Sequence, residues 1–188
     1  KITIDEPKSY NNLKIIVTEA YIGKFEYPLG TGFVAASKSG VVLVTLKCEY
    51  TLFKNRLQEI GFNPIQWDNS CTNPYIEQIN KYFSSNEQPQ GPVYFVKLTP
   101  FERRVLDATS AIPVGTCVTY KELAQKLGNT NLARAVGNVL AKNPVPIFIP
   151  CHRVIRNNLA VGNYQFGTVV KRFLLDHERS FVHAEHQC

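Results

Sequence analysis

Thr119-Tyr120-Lys121-Glu122-Leu123-Ala124-Gln125-Lys126-Leu127-Gly128-Asn129-Thr130-Asn131-Leu132-Ala133-Arg134-Ala135-Val136-Gly137-Asn138-Val139-Leu140 is the stretch that decides the fold of the second half of the chain. Thr119 can accept from the backbone three residues on, and Glu122 can reach back to Thr119, the reciprocal pattern that opens a helix. Leu123, Ala124 and Leu127 then share one stripe, and Gly128 closes the helix. After a turn over residues 128–131, a second helix carries Ala133, Val136, Gly137 and Leu140 on one face. Two short helices joined by a tight glycine-containing turn make a helix-turn-helix. Many all-α cores share that spacing, so the surrounding residues must decide what it is for.

Upstream, Thr99-Pro100-Phe101-Glu102 repeats the capping signal with proline at the first helical position, and the helix runs towards Ile112 before Pro113 and Gly115 stop it. Downstream, Asn143-Pro144-Val145-Pro146 leads into the apolar run Ile147-Phe148-Ile149 and then Pro150-Cys151-His152-Arg153-Val154-Ile155. Arg156-Asn157-Asn158 turns, a loop spans residues 160–167, and a last helix from Thr168 is expected to bury Val169, Val170, Phe173 and Leu174 before ending near Asp176-His177-Glu178. The polar tail, about 180–188, is expected to fray.

The first 98 residues read differently. Residues 14–23, 31–37 and 41–47 are rich in β-branched and aromatic side chains and predict strands, the last two joined by the turn Lys38-Ser39-Gly40. Leu52, Phe53, Leu57 and Ile60 recur at helical spacing up to Gly61; Asn73-Pro74 is expected to cap a second helix carrying Ile76, Ile79 and Phe83, and residues 93–98 a short strand. The fold class is α/β (α+β), with an α/β unit over residues 1–98 and a helical unit over 99–188. Nothing in the first unit looks chemical, and Cys48 and Cys71 are expected to pack.

Of 188 residues, 21 are Lys or Arg and 15 Asp or Glu, leaving a net charge of +6. Residues 1–98 hold 10 basic and 9 acidic side chains, whereas residues 99–188 hold 11 and 6, so the excess sits with the helix-turn-helix. Such a concentration favours a polyanionic partner, nucleic acid first, although a solvated surface has the same composition. A hydrophobic fraction of 44% excludes collagen, long coiled coil and full-length disorder. No apolar run approaches the roughly 18–20 residues of a membrane span, and Lys1-Ile2-Thr3-Ile4-Asp5-Glu6 does not read as a secretory leader.

Cys48, Cys71, Cys117, Cys151 and Cys188 are odd in number, scattered, and without CxxC or Cys/His zinc spacing, which suits a reducing compartment. Cys151 stands out by its neighbours. The thiolate is the reactive form of cysteine, and the adjacent His152, Arg153 and nearby Arg156 favour it. In an extended segment Cys151 and His152 face opposite ways, so proton transfer between them needs a bend or a bridging water. For a Cys-His pair taken alone, a buried cysteine beside a surface histidine is the commoner arrangement.

The run Asn143–Ile155 resembles the active-site signature of the O6-alkylguanine-DNA alkyltransferases. The likeness extends through Tyr120, Leu132-Ala133-Arg134-Ala135-Val136-Gly137 and Val161-Gly162-Asn163-Tyr164 to His177-Glu178, covering residues 99–178. Residues 1–98 agree only in layout with the family's ribonuclease-H-like N-terminal domain. The resemblance implies a winged helix-turn-helix in the second half and direct-reversal DNA repair: stoichiometric, irreversible transfer of the alkyl group from O6-alkylguanine in double-stranded DNA to Cys151. His152 is then the base acting through a water, Glu178 orients the imidazole, Asn143 braces the turn, and Tyr120 donates to ring nitrogen 3 of the leaving guanine. Backbone carbonyls of Cys151 and Val154 read the exocyclic amine. The damaged nucleotide is flipped out, Arg134 fills the vacated stack, and small Ala133 and Gly137 let their helix approach the minor groove.

The same resemblance draws the substrate pocket from Leu140, Val154, Val161, Gly162, Tyr164, Gln165 and Phe166, with Phe166 as a wall against large O6 substituents. It implies no cofactor, a monomer and no membrane partner. No histidine precedes residue 99, so the zinc site of some members is not matched and no metal is expected. The Val-Gly-Asn-Tyr loop is similar to that of animal members, which points to the nucleus. Three other readings compete: a damage sensor that binds without reacting, against which Cys151 speaks; a thiol hydrolase, for which no oxyanion-hole motif is visible; and a winged-helix regulator.

Overall fold

The computed structural model describes residues 2–5 and 18–181. Its first half is a mixed sheet of β1 (Ile2–Asp5), β2 (Thr18–Tyr27), β3 (Gly30–Ser37), β4 (Gly40–Thr45), β5 (Phe62–Trp67) and β6 (Gly91–Tyr94), in spatial order β1-β6-β4-β3-β2-β5. β2, β3 and β4 form an antiparallel meander, while β1 and β6 pair in parallel on one flank and β5 pairs in parallel with β2 on the other. The strand expected over 14–23 is described from Thr18 and continues to Tyr27; its first four residues lie outside the described residues. β1 and β5 were not expected. β1 finds its partner, β6, far along the chain, and β5 contains Pro64, which reads against a strand but is tolerated at a sheet edge.

β4 is buried along its whole length because both faces of the sheet are covered. On one face α1 (Tyr50–Ile60) packs Phe53 and Leu57 against Ile22, Phe33, Ala35 and Leu43. Gly61 ends α1 at φ 109°, a left-handed conformation that costs glycine little. On the other face lies α2 (Asn69–Ser85). Asp68, not Asn73-Pro74, caps it: the Asp68 carboxylate accepts from the backbone N–H groups of Ser70 and Cys71, so the helix starts a turn earlier and contains Pro74. Cys71 is exposed on that first turn and does not pack.

The second half follows the capping signals. α3 (Pro100–Ser110) and α4 (Tyr120–Lys126) each open with a complete capping box, on Thr99/Glu102 and Thr119/Glu122. A 3-10 turn over Thr130–Leu132 leads to α5 (Ala133–Ala141), and α6 (Thr168–Phe181) closes the described chain. α6 therefore runs through Ser180, where fraying was expected to begin; residues 182–188 lie outside the described residues. Val169, expected inside, is 76% exposed on the first turn of α6, whereas Val170 and Leu174 are buried. β7 (Val118–Thr119) and β8 (Val154–Ile155) make a short parallel pair that ties the start of α4 to the chain after Cys151.

One apolar core runs through both halves: Phe25, Val34, Val44, Ile79 and Tyr82 belong to the same cluster as Val105, Leu106, Leu123, Val136, Leu140, Phe148 and Leu174. Among the described residues no helix is long and apolar enough to cross a membrane.

Candidate active site

Pro146 and Pro150 bracket a run too short and too apolar to lie on the surface, and Ile147, Phe148 and Ile149 are fully buried. Ile147 sits at φ 74°, a conformation that costs a β-branched residue about 1–3 kcal/mol. Surrounding bonds hold it there. The Asn143 amide donates to the Ile149 carbonyl at 2.8 Å and its Oδ1 accepts from Val145 N–H at 3.1 Å, while Gln88 donates to the Ile147 carbonyl at 2.9 Å. Gln88 comes from the irregular segment between α2 and β6.

The loop delivers Cys151, His152 and Arg153 as a single 3-10 turn. That turn is the bend an extended segment lacks. Cys151 is 3% exposed, and the Asn143 amide also donates to its Sγ at 3.1 Å. Burial pushes the thiol pKa up; the Asn143 bond and the positive charge of Lys171 act the other way without overcoming it. The resting sulfur is therefore a thiol that needs a base.

His152 is fully buried, and burial lowers its pKa despite the opposing pull of Glu178. Burial works against the Glu178 carboxylate too, but His152 and Arg153 hold its pKa well below the usual range. Arg153 Nε lies 2.9 Å from Oε2 and 3.1 Å from Oε1, its Nη2 lies 2.9 Å from Oε1, and Gly115 N–H donates to Oε2 at 3.0 Å. With Glu178 ionised, the 2.6 Å contact between His152 Nε2 and Oε1 is a donation from the imidazole. The neutral ring then carries its lone pair on Nδ1, a buried atom with no hydrogen bond among the described residues.

Arg153 and Tyr82 were missed by sequence reading. Arg153 was credited only with favouring the thiolate, but it is fully buried and also donates to the Ile112 carbonyl at 2.6 Å. Tyr82, from α2, donates to Glu178 Oε1 at 2.7 Å. A tyrosine 96 positions from its acceptor leaves no local signal.

Beside Cys151 opens a cavity of about 350 Å³, lined by Tyr120, Gly137, Leu140, Tyr164, Gln165 and Asn163 among others. Tyr120, the first residue of α4, lies against Gly137, where an added Cβ would stand 3.7 Å from its ring. Tyr164 buries its hydroxyl near the Cys151 sulfur, and burial and that sulfur raise its pKa well above the ordinary value. Gln165 donates to the Asn143 carbonyl at 2.8 Å.

Four expected pocket residues do not line this cavity. Phe166 packs edge-on against the Tyr164 ring, centroids 5.5 Å apart, and against the core. Val154 is fully buried in β8, and its carbonyl accepts from Lys171 Nζ at 2.6 Å. Val161 faces a separate cavity with Leu159 and Arg172, and Gly162, at φ 77°, lies under the Arg156 side chain. Arg134 is exposed on the first turn of α5, and Ala133 is half-buried beside it. Among the described residues no group of three or more His, Cys, Asp or Glu is placed to hold a metal ion.

A buried thiol, an imidazole with a free lone pair and an ionised carboxylate on one frame define a cysteine-nucleophile site. Residues 100–180 match the family described as the 6-O-methylguanine DNA methyltransferase, DNA binding domain. A Saccharolobus islandicus methylated-DNA--protein-cysteine methyltransferase is 32% identical over 156 residues, covering 83% of this chain and 93% of that protein. The human protein of the same name is 48% identical over 79 residues, 42% of this chain and 38% of its own length, and that of Methanothermobacter thermautotrophicus 45% over 80 residues, 43% and 44%. The chain thus belongs to the methylated-DNA--protein-cysteine methyltransferase family, while its match spans less than half the length of the human and Methanothermobacter relatives. The fold agrees: the Mycobacterium tuberculosis OGT structure in complex with DNA superposes with a TM-score of 0.73 at 27% identity, over 87% of this chain and 96% of that one.

Proposed function

We propose that this protein repairs O6-alkylguanine in double-stranded DNA by moving the alkyl group, once and irreversibly, onto Cys151. The observation that carries the reading is the buried Cys151 thiol at the edge of a cavity of about 350 Å³, one turn residue from the His152–Glu178 pair. His152 Nδ1 takes the thiol proton through a water. Sγ attacks the alkyl carbon, the C–S bond forms as the C–O6 bond breaks, and the electron pair returns to the guanine. Tyr120 supplies a proton to ring nitrogen 3 and regains one from the relay, so the thiol proton ends on the released guanine. The thioether has no leaving route, so each chain acts once.

The cavity opens beside α4 and α5, whose charge excess and exposed Arg134 support minor-groove binding with the nucleotide flipped and Arg134 in its place. We read the sheet half as ribonuclease-H-like and the second half as a winged helix-turn-helix acting as a monomer, the β7–β8 pair being consistent with the wing.

The test is intact mass after incubation with a duplex bearing O6-methylguanine. One methyl per chain, on the Cys151 peptide and absent in Cys151→Ala, is expected. Unchanged mass with tight binding makes the protein a sensor, and sustained turnover defeats the single-use mechanism.

A further inference from the structure

The repair reading employs Cys151, His152, Glu178, Asn143 and Tyr120, all from the second half of the chain. It leaves unexplained a phenol from the first half buried in the relay. Tyr82 is fully buried on α2, and its hydroxyl oxygen lies 2.7 Å from Glu178 Oε1 and 3.4 Å from His152 Nε2. A core that only needed to be filled would take phenylalanine, since a buried hydroxyl requires a partner. α2 and its C-terminal cap meet α6 twice more: Asn86 Nδ2 donates to the Glu178 carbonyl at 3.1 Å, and His177 Nε2 lies 3.0 Å from the Tyr82 carbonyl.

Resting on the repair reading, we propose that Tyr82 is a positioning residue for alkyl transfer, its hydroxyl competing with the His152 imidazole for Glu178 Oε1 and so setting how strongly His152 draws a proton from the thiol. Burial first, then Glu178, pushes the Tyr82 pKa well above the ordinary value, so it remains a donor throughout the working pH range. Oε1 receives Tyr82 and Arg153 as well as His152, and charge it shares with them is withheld from the imidazolium. The other charged or titratable groups facing this pair are Arg153 on the Cys151 turn, Lys171 and His177 on α6, Cys151 itself, and Tyr164 on the loop. A Tyr82→Phe exchange leaves all of them in place.

The sign follows. Without the phenol, Oε1 binds the imidazolium more tightly, and the relay protonates at higher pH. Single-turnover transfer from an O6-methylguanine duplex is therefore expected to show its acid limb displaced upward in Tyr82→Phe by roughly half to one pH unit. At the acid end this reads as about a three- to tenfold slower rate, while the alkaline plateau is kept. Site-specific 3-fluorotyrosine at position 82, a more acidic phenol and a stronger donor, is expected to displace the limb downward. A purely structural role lowers the rate by one factor at every pH, so profiles of both variants that overlay the wild type after scaling overturn the proposal. Methylation of Cys151 in wild type is measured in the same experiment; its absence defeats the repair reading instead.

Discussion

The ammonium nitrogen of Lys171 lies 2.6 Å from the carbonyl oxygen of Val154, on a side chain that is fully buried. It also stands 5.7 Å from the centre of the Tyr120 ring, so one lysine ties together the strand after the nucleophile and the tyrosine across the cavity. Burial pulls its pKa from 10.5 to about 8, while Cys151 and Cys117 pull the other way. Between pH 8 and 10.5 the unfolded chain therefore binds more protons than the folded one, and stability rises with pH across that window. Denaturant midpoints of wild type should gain on those of Lys171→Met as pH rises from 8 to 10.5. A constant difference would show that the lysine is not held in this state.

Glu178 gives the same sign of pH dependence at the acid end. Its folded pKa is depressed, so its contribution is complete above the unfolded carboxylate value near 4.5 and drains away as pH falls below it. Glu178→Gln leaves Arg153 as an uncompensated buried cation, at a cost of about 3–5 kcal/mol near neutral pH. The variant should also lose less of its remaining stability on acidification than wild type. Chemical unfolding across the acid range measures both effects.

Asn143 satisfies Val145 N–H, the Ile149 carbonyl and Cys151 Sγ together. Asn143→Ala strands two buried backbone groups, for about 2–4 kcal/mol, and frees the loop that holds Ile147 at positive φ. Transfer should fall with stability. In Asn143→Asp, transfer should fall further than the melting point, because a carboxylate replaces a donor beside the sulfur.

Arg134→Ala should leave stability within about 0.5 kcal/mol of wild type, the residue being exposed. It should slow repair in duplex DNA much more than transfer from the free modified base, which needs no flipped state. Equal losses on both substrates would move Arg134 out of the DNA contact.

Phe166 yields a prediction contrary to the one the resemblance implied. Since it packs on Tyr164 outside the cavity, Phe166→Gly should not increase inactivation by O6-benzylguanine and should cost core packing. Gln165, which does line the cavity, is the position whose shortening should change benzyl tolerance. Rates of inactivation by the free base compare the two variants directly.

Which features were legible follows from their range. Thr99/Glu102 and Thr119/Glu122 carry their signal within four residues, and both helices begin where those residues say. Asn73-Pro74 also read as a cap, yet the Asp68 carboxylate holds the N–H groups of Ser70 and Cys71 and starts the helix a turn earlier. Cys151 and His152 were readable as chemistry because they adjoin, and Glu178 only through resemblance. Tyr82, Gln88 and Arg153 meet the site through tertiary contacts, and β5 was hidden by Pro64 because its partner, β2, supplies the reason for a strand there. Phe166 packs on Tyr164, its near neighbour in an irregular loop, an arrangement that no helix or strand periodicity encodes.

The apolar cluster that includes Val44 and Ile79 on one side of Thr99 and Leu140 and Leu174 on the other has a kinetic meaning. Among the described residues the two halves share this cluster, so loosening the sheet half would uncover apolar surface of the reactive half, and the amides of β4 and of α6 should exchange with solvent in the same rare event. The Cys151 thiol meets small electrophiles through its cavity without that event, so the rate at which it is spent and the rate at which the fold opens should respond to different substitutions.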